Sequence, residues 1–233
     1  MFKSIIVIPC YNVKNKILSV TKKIDLDKVY KVIIVDDFCP QKTGIFVKKK
    51  LKNKKFKIVF SKKNLGVGGA FILGLKFAKK YKPDQIIKID GDGQHDPKYL
   101  NQFILNQKKY PHIMFKGKRV TSFFRTKIPF KRYIGNILIT NMIRFITRNF
   151  FLNDVVNGFL SIPKKIFNKI NFKNISNDFF FEQDLIINVS RKKFLIKEIL
   201  ISTKYSKNQS NLNEFKVIFP FIKKYFLIIF GLK

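Results

Sequence analysis

Acid is scarce in this chain. Asp and Glu number 14 against 48 Lys and Arg over 233 residues. Tryptophan is absent, and cysteine occurs only as Cys10 and Cys39. Two cysteines exclude a disulfide framework and a cysteine-based metal cluster, and they suit a reducing compartment. Glycine is sparse at 11 residues, so a stretch that concentrates it is informative. The C-terminal apolar stretch, residues 217–232, is interrupted by Pro220, Lys223 and Lys224. It falls short of the ~20 apolar residues that a membrane span needs. The apolar run at residues 5–9 is too short for a secretory leader, and no cleavage pattern follows it. No linker or internal repeat divides the chain. Residues 1–212 are expected to form one domain, with residues 213–233 as an apolar, basic tail that forms a membrane-interface helix.

What the chain has in excess is base. The formal net charge is +34. Such a charge favours an anionic partner: nucleic acid, an acidic membrane surface or a phosphorylated substrate. The same abundance of Lys, Ile, Phe and Asn is also what nucleotide bias in an AT-rich genome produces. The lysines are scattered, with runs at residues 48–50 and 52–57, and no RNA-binding pattern of interleaved aromatics accompanies them. No specific nucleic acid is expected. A hydrophobic fraction of 46% is enough for a sizeable core.

Against this background, Asp90-Gly91-Asp92-Gly93-Gln94-His95-Asp96-Pro97 is a local exception. It follows the apolar run Ile86-Ile87-Lys88-Ile89, which reads as a buried strand. Glycines and a proline then end the strand and leave the acids on a loop. Asp90 and Asp92 are two apart, so in extended backbone both carboxylates point to one side. Like charges held close repel unless a cation lies between them. Oxygen ligands of this kind suit Mg2+ or Mn2+. A solvated Asp- and Gly-rich turn is the plainer reading.

Strands are expected at residues 4–9, 31–35, 56–60 and 85–89. Helices are expected between the first two strands and at residues 46–53 and 64–80. Near-continuous β-branched strands alternating with helices indicate an α/β domain with a mainly parallel sheet. Ligands bind such sheets beyond the carboxyl ends of the strands. Asn12, Asp36, Asp37, Asp90 and Asp92 all fall at such ends. The glycine-rich residues 64–70 fit neither a Walker loop nor a dinucleotide fingerprint. Gly66, Ala70, Gly74 and Ala78 instead recur every four residues and give a helix one flat face. That face suits close packing, with the helix N-terminus still able to meet an anion.

Taken in order, these segments resemble family 2 glycosyltransferases, in the branch of polyprenyl-phosphate (dolichol-phosphate mannose type) sugar transferases. The matching pieces are Val7-Ile8-Pro9-Cys10-Tyr11-Asn12, Ile34-Val35-Asp36-Asp37, and Asn64-Leu65-Gly66 with Ala70, Gly74 and Ala78. Then come residues 90–95, Gly117-Lys118-Arg119, Asn157-Gly158-Phe159, and Phe181-Glu182 with Glu198 and Tyr205. The resemblance implies a GT-A fold, a Rossmann-like sheet flanked by helices, a nucleotide-sugar donor and Mg2+ or Mn2+. It places Pro9, Tyr11 and Asn12 along the donor nucleotide. Asp37 matches the acid that contacts base or ribose, and Asp36 precedes it. Asp90 and Asp92 match the motif that holds metal and diphosphate. Gln94 matches a further metal ligand in the lipid-phosphate branch, and Arg119 a basic residue near the phosphates. The chain departs from the pattern at Val13, where glutamate is common, at Phe38-Cys39-Pro40, and at Lys118, where a small residue is usual.

A metal on Asp90 and Asp92 would act as a Lewis acid on the departing diphosphate, and Arg119 would add a cation. A hydroxyl acceptor needs a general base, whereas a lipid phosphate is already ionised. Glu182 and Asp184 are the only close acid pair in the second half. They are candidates for that base, or for helix ion pairs with Arg191 or Lys192. Residues 133–152 read as a helix with Ile134, Ile137, Leu138, Asn141 and Phe145 on one side, turned either into the core or onto a bilayer. The expected function is inverting transfer of a sugar to a polyprenyl-phosphate lipid, at the cytoplasmic face of an anionic membrane. Transfer to a hydroxyl of a glycolipid or glycan is the alternative. Outside the class stand a nucleotidyltransferase, which would carry a Gly-rich N-terminal loop, and a non-enzymatic basic nucleic-acid binder with salt-sensitive binding.

Overall fold

The computed structural model describes residues 2–119, 130–202 and 214–229. Tyr205 and the end of the 217–232 stretch lie outside the described residues. Four parallel strands form one half of a seven-stranded sheet: β1 (Ser4–Cys10), β2 (Lys31–Asp36), β3 (Phe56–Phe60) and β4 (Gln85–Lys88). The other half holds β5 (Met114–Arg119), β6 (Leu160–Pro163) and β7 (Ile196–Ile201). The order across the sheet is β3-β2-β1-β4-β6-β5-β7. β6 alone runs against its neighbours β4 and β5, while β7 is parallel to β5.

Every residue of β1 is buried. Ile5 and Val7 join one core cluster, while Ile6, Ile8 and Cys10 join the other. The alternation follows from the two-residue period of a strand covered on both faces. On the first face lie α3 (Gly66–Lys79), α5 (Phe130–Thr147) and α7 (Phe181–Arg191). On the second lie α1 (Lys14–Lys22), α2 (Thr43–Lys50) and α4 (Leu100–Lys109). A short α6 (Lys164–Lys169) follows β6, and α8 (Glu214–Ile229) packs beside α5.

The expected strands and α3 occur within a residue or two of their expected bounds. α2 begins three residues earlier than expected, because the Asp36 carboxylate accepts the Gly44 N–H in its first turn. α5 ends at Thr147, short of the expected residue 152. Its Ile134, Ile137, Leu138 and Phe145 are exposed, while Ile143 is buried. The expected one-sided face of α5 therefore points away from the core. Among the described residues, no helix is long and apolar enough to cross a membrane.

The flat face of α3 lies directly on the sheet. A Cβ at Gly74 would overlap Val7 Cγ1 and stand 2.8 Å from Val35 Cγ2, and both valines are fully buried. Gly74→Ala therefore sets two effects against each other. Helix propensity gains about 1 kcal/mol, whereas overpacking a rigid core costs about 1–3 kcal/mol. We expect a net loss of roughly 1 kcal/mol in urea unfolding. An unchanged or higher midpoint would contradict so close an approach of α3.

Candidate functional site

The parallel register of β1, β2 and β4 brings their carboxyl ends to one edge of the sheet, with Cys10 paired to Asp36 and Val7 to Lys88. β6 runs the other way, so the loop before it, residues 157–159, arrives at the same edge. This geometry gathers Tyr11, Asn12, Asp36, Asp37, Asp90 and Asp92. Pro9 is buried inside β1 and shapes the approach to the loop. Tyr11 is exposed beside it. Asn12 takes a left-handed backbone, with φ at 55°, and donates its N–H to Cys39 Sγ at 3.2 Å. Asparagine tolerates that conformation better than most residues.

Asp36 and Asp37 are both buried but differ in surroundings. Asp36 accepts the Cys39 N–H at 2.7 Å and the Gly44 N–H, so it shapes the turn into α2. Asp37 accepts the Leu65 N–H at 2.8 Å and the Ser61 hydroxyl at 3.2 Å. Burial pushes its carboxyl above the ordinary range, and those hydrogen bonds offset part of the rise. Asp37 thus joins the end of β2 to the start of α3.

The Asp90 loop is organised from beneath. Lys88, the last residue of β4, is fully buried, and its Nζ lies 2.6 Å from Asp90 Oδ1 and 3.3 Å from Glu182 Oε1. It also donates to the Gly158 carbonyl at 3.3 Å. The Asp90 side chain is 31% exposed. Burial raises its carboxyl, but the charge on Lys88, joined in acid by that on His95, outweighs burial and holds it below the ordinary range. His95 is buried, with Nδ1 3.4 Å from the Asp90 N–H and 3.3 Å from Oδ2. Burial lowers its pKa to about 4. The ring is neutral at physiological pH, so its approach to Oδ2 is not an ion pair there. Asp92 Oδ1 accepts the Gln94 N–H at 2.9 Å, an Asx turn that closes the loop. Burial, and next the charge on Asp90, push the Asp92 carboxyl up. Gln94 is half-buried on the same loop. Among the described residues, no group of three His, Cys, Asp or Glu side chains is gathered to hold a metal.

Arg119, at the end of β5, grips Asp154: Nε lies 2.6 Å from Oδ2 and Nη2 2.7 Å from Oδ1. Its backbone N–H also donates to Oδ2, at 3.0 Å. Glu182 and Asp184 are both buried at the start of α7. Neither is described in an ion pair with Arg191 or Lys192. Glu182 pairs with Lys88, and Asp184 accepts from the Ser176 N–H at 2.9 Å and pairs with Lys224 Nζ at 2.6 Å. Burial pushes the Glu182 carboxyl up to about 7, and the Lys88 charge reverses only part of that. Glu198 accepts the Asn153 and Asp154 N–H groups, each at 2.8 Å, and so braces the loop that carries Asp154.

Sequence reasoning missed Lys88, Lys116 and Asp154. Lys116 is fully buried on β5 and donates to the Asn157 carbonyl at 2.6 Å. The two buried lysines thus hold consecutive carbonyls of the loop before β6. Lys88 follows the apolar pair Ile86-Ile87, whereas Lys116 opens the basic run Lys116-Gly117-Lys118-Arg119, and neither stands out among 48 basic residues. Burial lowers the Lys116 pKa from the usual 10.5 to about 8. Between those values the unfolded chain binds more protons than the folded one, so the contribution of Lys116 to stability rises with pH. We expect wild type to gain about 3 kcal/mol relative to Lys116→Met between pH 8 and 10.5. Denaturant melts of both proteins across that range check it, and a difference constant with pH would contradict it.

The acidic loops thus converge at the carboxyl edge of a mainly parallel α/β sheet, the edge at which such sheets bind their ligands. Residues 5–171 match the model of glycosyl transferase family 2, and the chain belongs to that family. It is 27% identical over 223 residues to an uncharacterised protein of Methanocaldococcus jannaschii, covering 93% of this chain and 90% of that one. It is 25% identical over 219 residues to the UDP-N-acetylglucosamine–dolichyl-phosphate N-acetylglucosaminyltransferase of Methanococcus voltae, covering 86% and 85%. Among solved structures, Mycobacterium tuberculosis glucosyl-3-phosphoglycerate synthase in complex with Mn2+ and UDP-glucose superposes with a TM-score of 0.73. That match has 15% identity and covers 97% of this chain and 78% of the other. Staphylococcus aureus TarS 1-349 in complex with UDP-GlcNAc gives 0.57 at 16% identity, over 97% and 67%. The fold is GT-A-like, and the chain is a glycosyltransferase.

Proposed function

We propose that the chain transfers a sugar from a nucleotide-diphosphate donor to a lipid phosphate, with inversion and with Mg2+ or Mn2+. The observation that carries the acceptor choice is the state of the two second-half acids. Glu182 is held by Lys88 and Asp184 by Lys224, and both are buried. An acceptor that is already ionised needs no base from this region. The Methanococcus voltae relative, named for transfer to dolichyl phosphate, supports the same choice.

The donor site is assigned to the loops at the sheet edge. Asp37 and Asn12 are assigned to the nucleoside, and Asp90, Asp92 and Gln94 to the diphosphate. The residues fit a hard cation. Asp92 Oδ2 has no hydrogen bond among the described residues, and the charge on Asp90 burdens the Asp92 carboxylate. A cation between them relieves that repulsion, with phosphate and water oxygens completing its shell. When bound, such a cation neutralises charge on the departing diphosphate. Arg119 is fixed by Asp154 and supplies a second positive charge on the same side of the sheet.

The outer faces of α5 and α8 support work at an anionic membrane surface. Ile137, Leu138 and Phe145 are exposed on α5, Phe151 just beyond it is 90% exposed, and Phe226 and Ile229 are exposed on α8. Adjacent exposed apolar side chains on a strongly basic protein suit the boundary of an acidic bilayer.

A second reading has its own observation. The Glu182 carboxyl, pushed up to about 7, is poised as a general base for a hydroxyl acceptor is poised. Vesicles carrying a polyprenyl phosphate, compared with vesicles carrying a glycolipid that offers only hydroxyls, separate the two readings. Each is incubated with labelled nucleotide sugars and Mn2+. We expect label to enter the lipid-phosphate vesicles alone. Label entering only the hydroxyl acceptor would move the assignment to the second reading.

A further inference from the structure

A fully buried lysine in a glycosyltransferase core calls for an account, because an ammonium is costly to remove from water unless it is paired. Three groups meet Lys88 Nζ: Asp90 Oδ1 at 2.6 Å, Glu182 Oε1 at 3.3 Å and the Gly158 carbonyl at 3.3 Å. They belong to three separate pieces of chain: the loop after β4, the first turn of α7, and the loop before β6. The Phe181 ring, with its centroid 5.0 Å from Nζ, covers the ammonium. Gly158 sits over the cluster. A Cβ there would stand 2.5 Å from Lys88 Nζ, 2.8 Å from Asp90 Oδ2 and 3.1 Å from Glu182 Oε1. The absence of a side chain at Gly158 is what lets the three charges converge.

We infer that Lys88 is a positioning residue of the donor site: its buried ammonium fixes the Asp90 carboxylate and braces it, through Glu182, against α7. Asp90 is only partly enclosed, so without Lys88 its carboxylate gains rotamers that turn away from Asp92. Glu182 is the second carboxyl group that meets the ammonium, at 3.3 Å from Nζ. The shorter distance assigns most of the ammonium to Asp90, which makes Glu182 the supporting partner. This inference rests on the donor-site reading given above.

A merely structural lysine and a positioning lysine differ in one double variant. Lys88→Met removes the charge while roughly keeping the shape, and leaves two buried carboxylates without their cation. It is expected to lower the melting temperature by roughly 6–12 °C. Adding Glu182→Gln removes one of those carboxylates, so Lys88→Met/Glu182→Gln is expected to regain most of that loss. Asp90 stays unclamped in the double variant. Its affinity for UDP in the presence of Mn2+, read by calorimetry, is then expected to stay at least about tenfold weaker than wild type. Recovery of both melting temperature and affinity in the double variant would make Lys88 a structural counter-charge and overturn the inference alone. A wild-type chain that does not bind UDP with Mn2+ would overturn the donor-site reading and the inference with it.

Discussion

Asp92→Asn is expected to cut sugar transfer by about 10²–10³-fold while leaving the protein as stable as wild type or slightly more so. The two effects have different origins. Asp92 Oδ1 accepts the Gln94 N–H, and an asparagine carbonyl accepts the same bond, so the loop keeps its turn. Burial and the nearby Asp90 charge make ionised Asp92 costly in the folded chain, and the amide removes that cost. What the amide cannot do is share a cation with Asp90. Turnover at saturating Mn2+ and a thermal melt, run on the same preparation, test the pair of outcomes. Turnover within about threefold of wild type, less than about 1 kcal/mol in barrier, would remove Asp92 from the metal and diphosphate site. A large loss of stability would mean that the loop depends on the charge itself.

Gly158→Ala is expected to be the most damaging single methyl group that can be added at the site. The added carbon meets Lys88 Nζ at 2.5 Å. A lysine tip ordinarily swings aside at little cost, but this one is fully buried and tied to Asp90, Glu182 and the Gly158 carbonyl. Moving it breaks a buried ion pair, which places the cost near 3 kcal/mol, beyond ordinary overpacking. For a chain of this length the melting temperature should fall by roughly 6–12 °C. Transfer should fall as well, because Asp90 moves with its partner. A variant melting within about 2 °C of wild type would show that the loop before β6 yields easily and does not lock the cluster.

The first half of the fold was legible for a definite reason. β1, β2 and β4 are covered on both faces, so they carry consecutive β-branched residues, as in Ile5-Ile6-Val7-Ile8. The four-residue spacing of Gly66, Ala70, Gly74 and Ala78 similarly announced a helix pressed onto a sheet, and Gly74 lies against Val7 and Val35. The second half was harder to read. β6 has only four residues, and β5 ends in Lys-Gly-Lys-Arg, which resembles surface. The acidic loops of the site were visible because acid is rare here. Lys88 and Lys116 were hidden for the opposite reason: two buried lysines do not stand out among 48 basic residues. Only three-dimensional placement shows that each lies under the same loop. The pairing of Arg119 with Asp154, 35 residues apart, likewise has no local signal.

The central claim is that the carboxyl edge of this sheet binds a nucleoside diphosphate together with a divalent cation. The most direct measurement is calorimetric titration of the wild-type chain with UDP, GDP and dTDP, each with Mn2+ and again with excess chelator. The account predicts that at least one of them binds with Mn2+ and weakens at least about tenfold, or about 1.4 kcal/mol, once the metal is removed. Binding of none of the three, or binding that is indifferent to the metal, would contradict it.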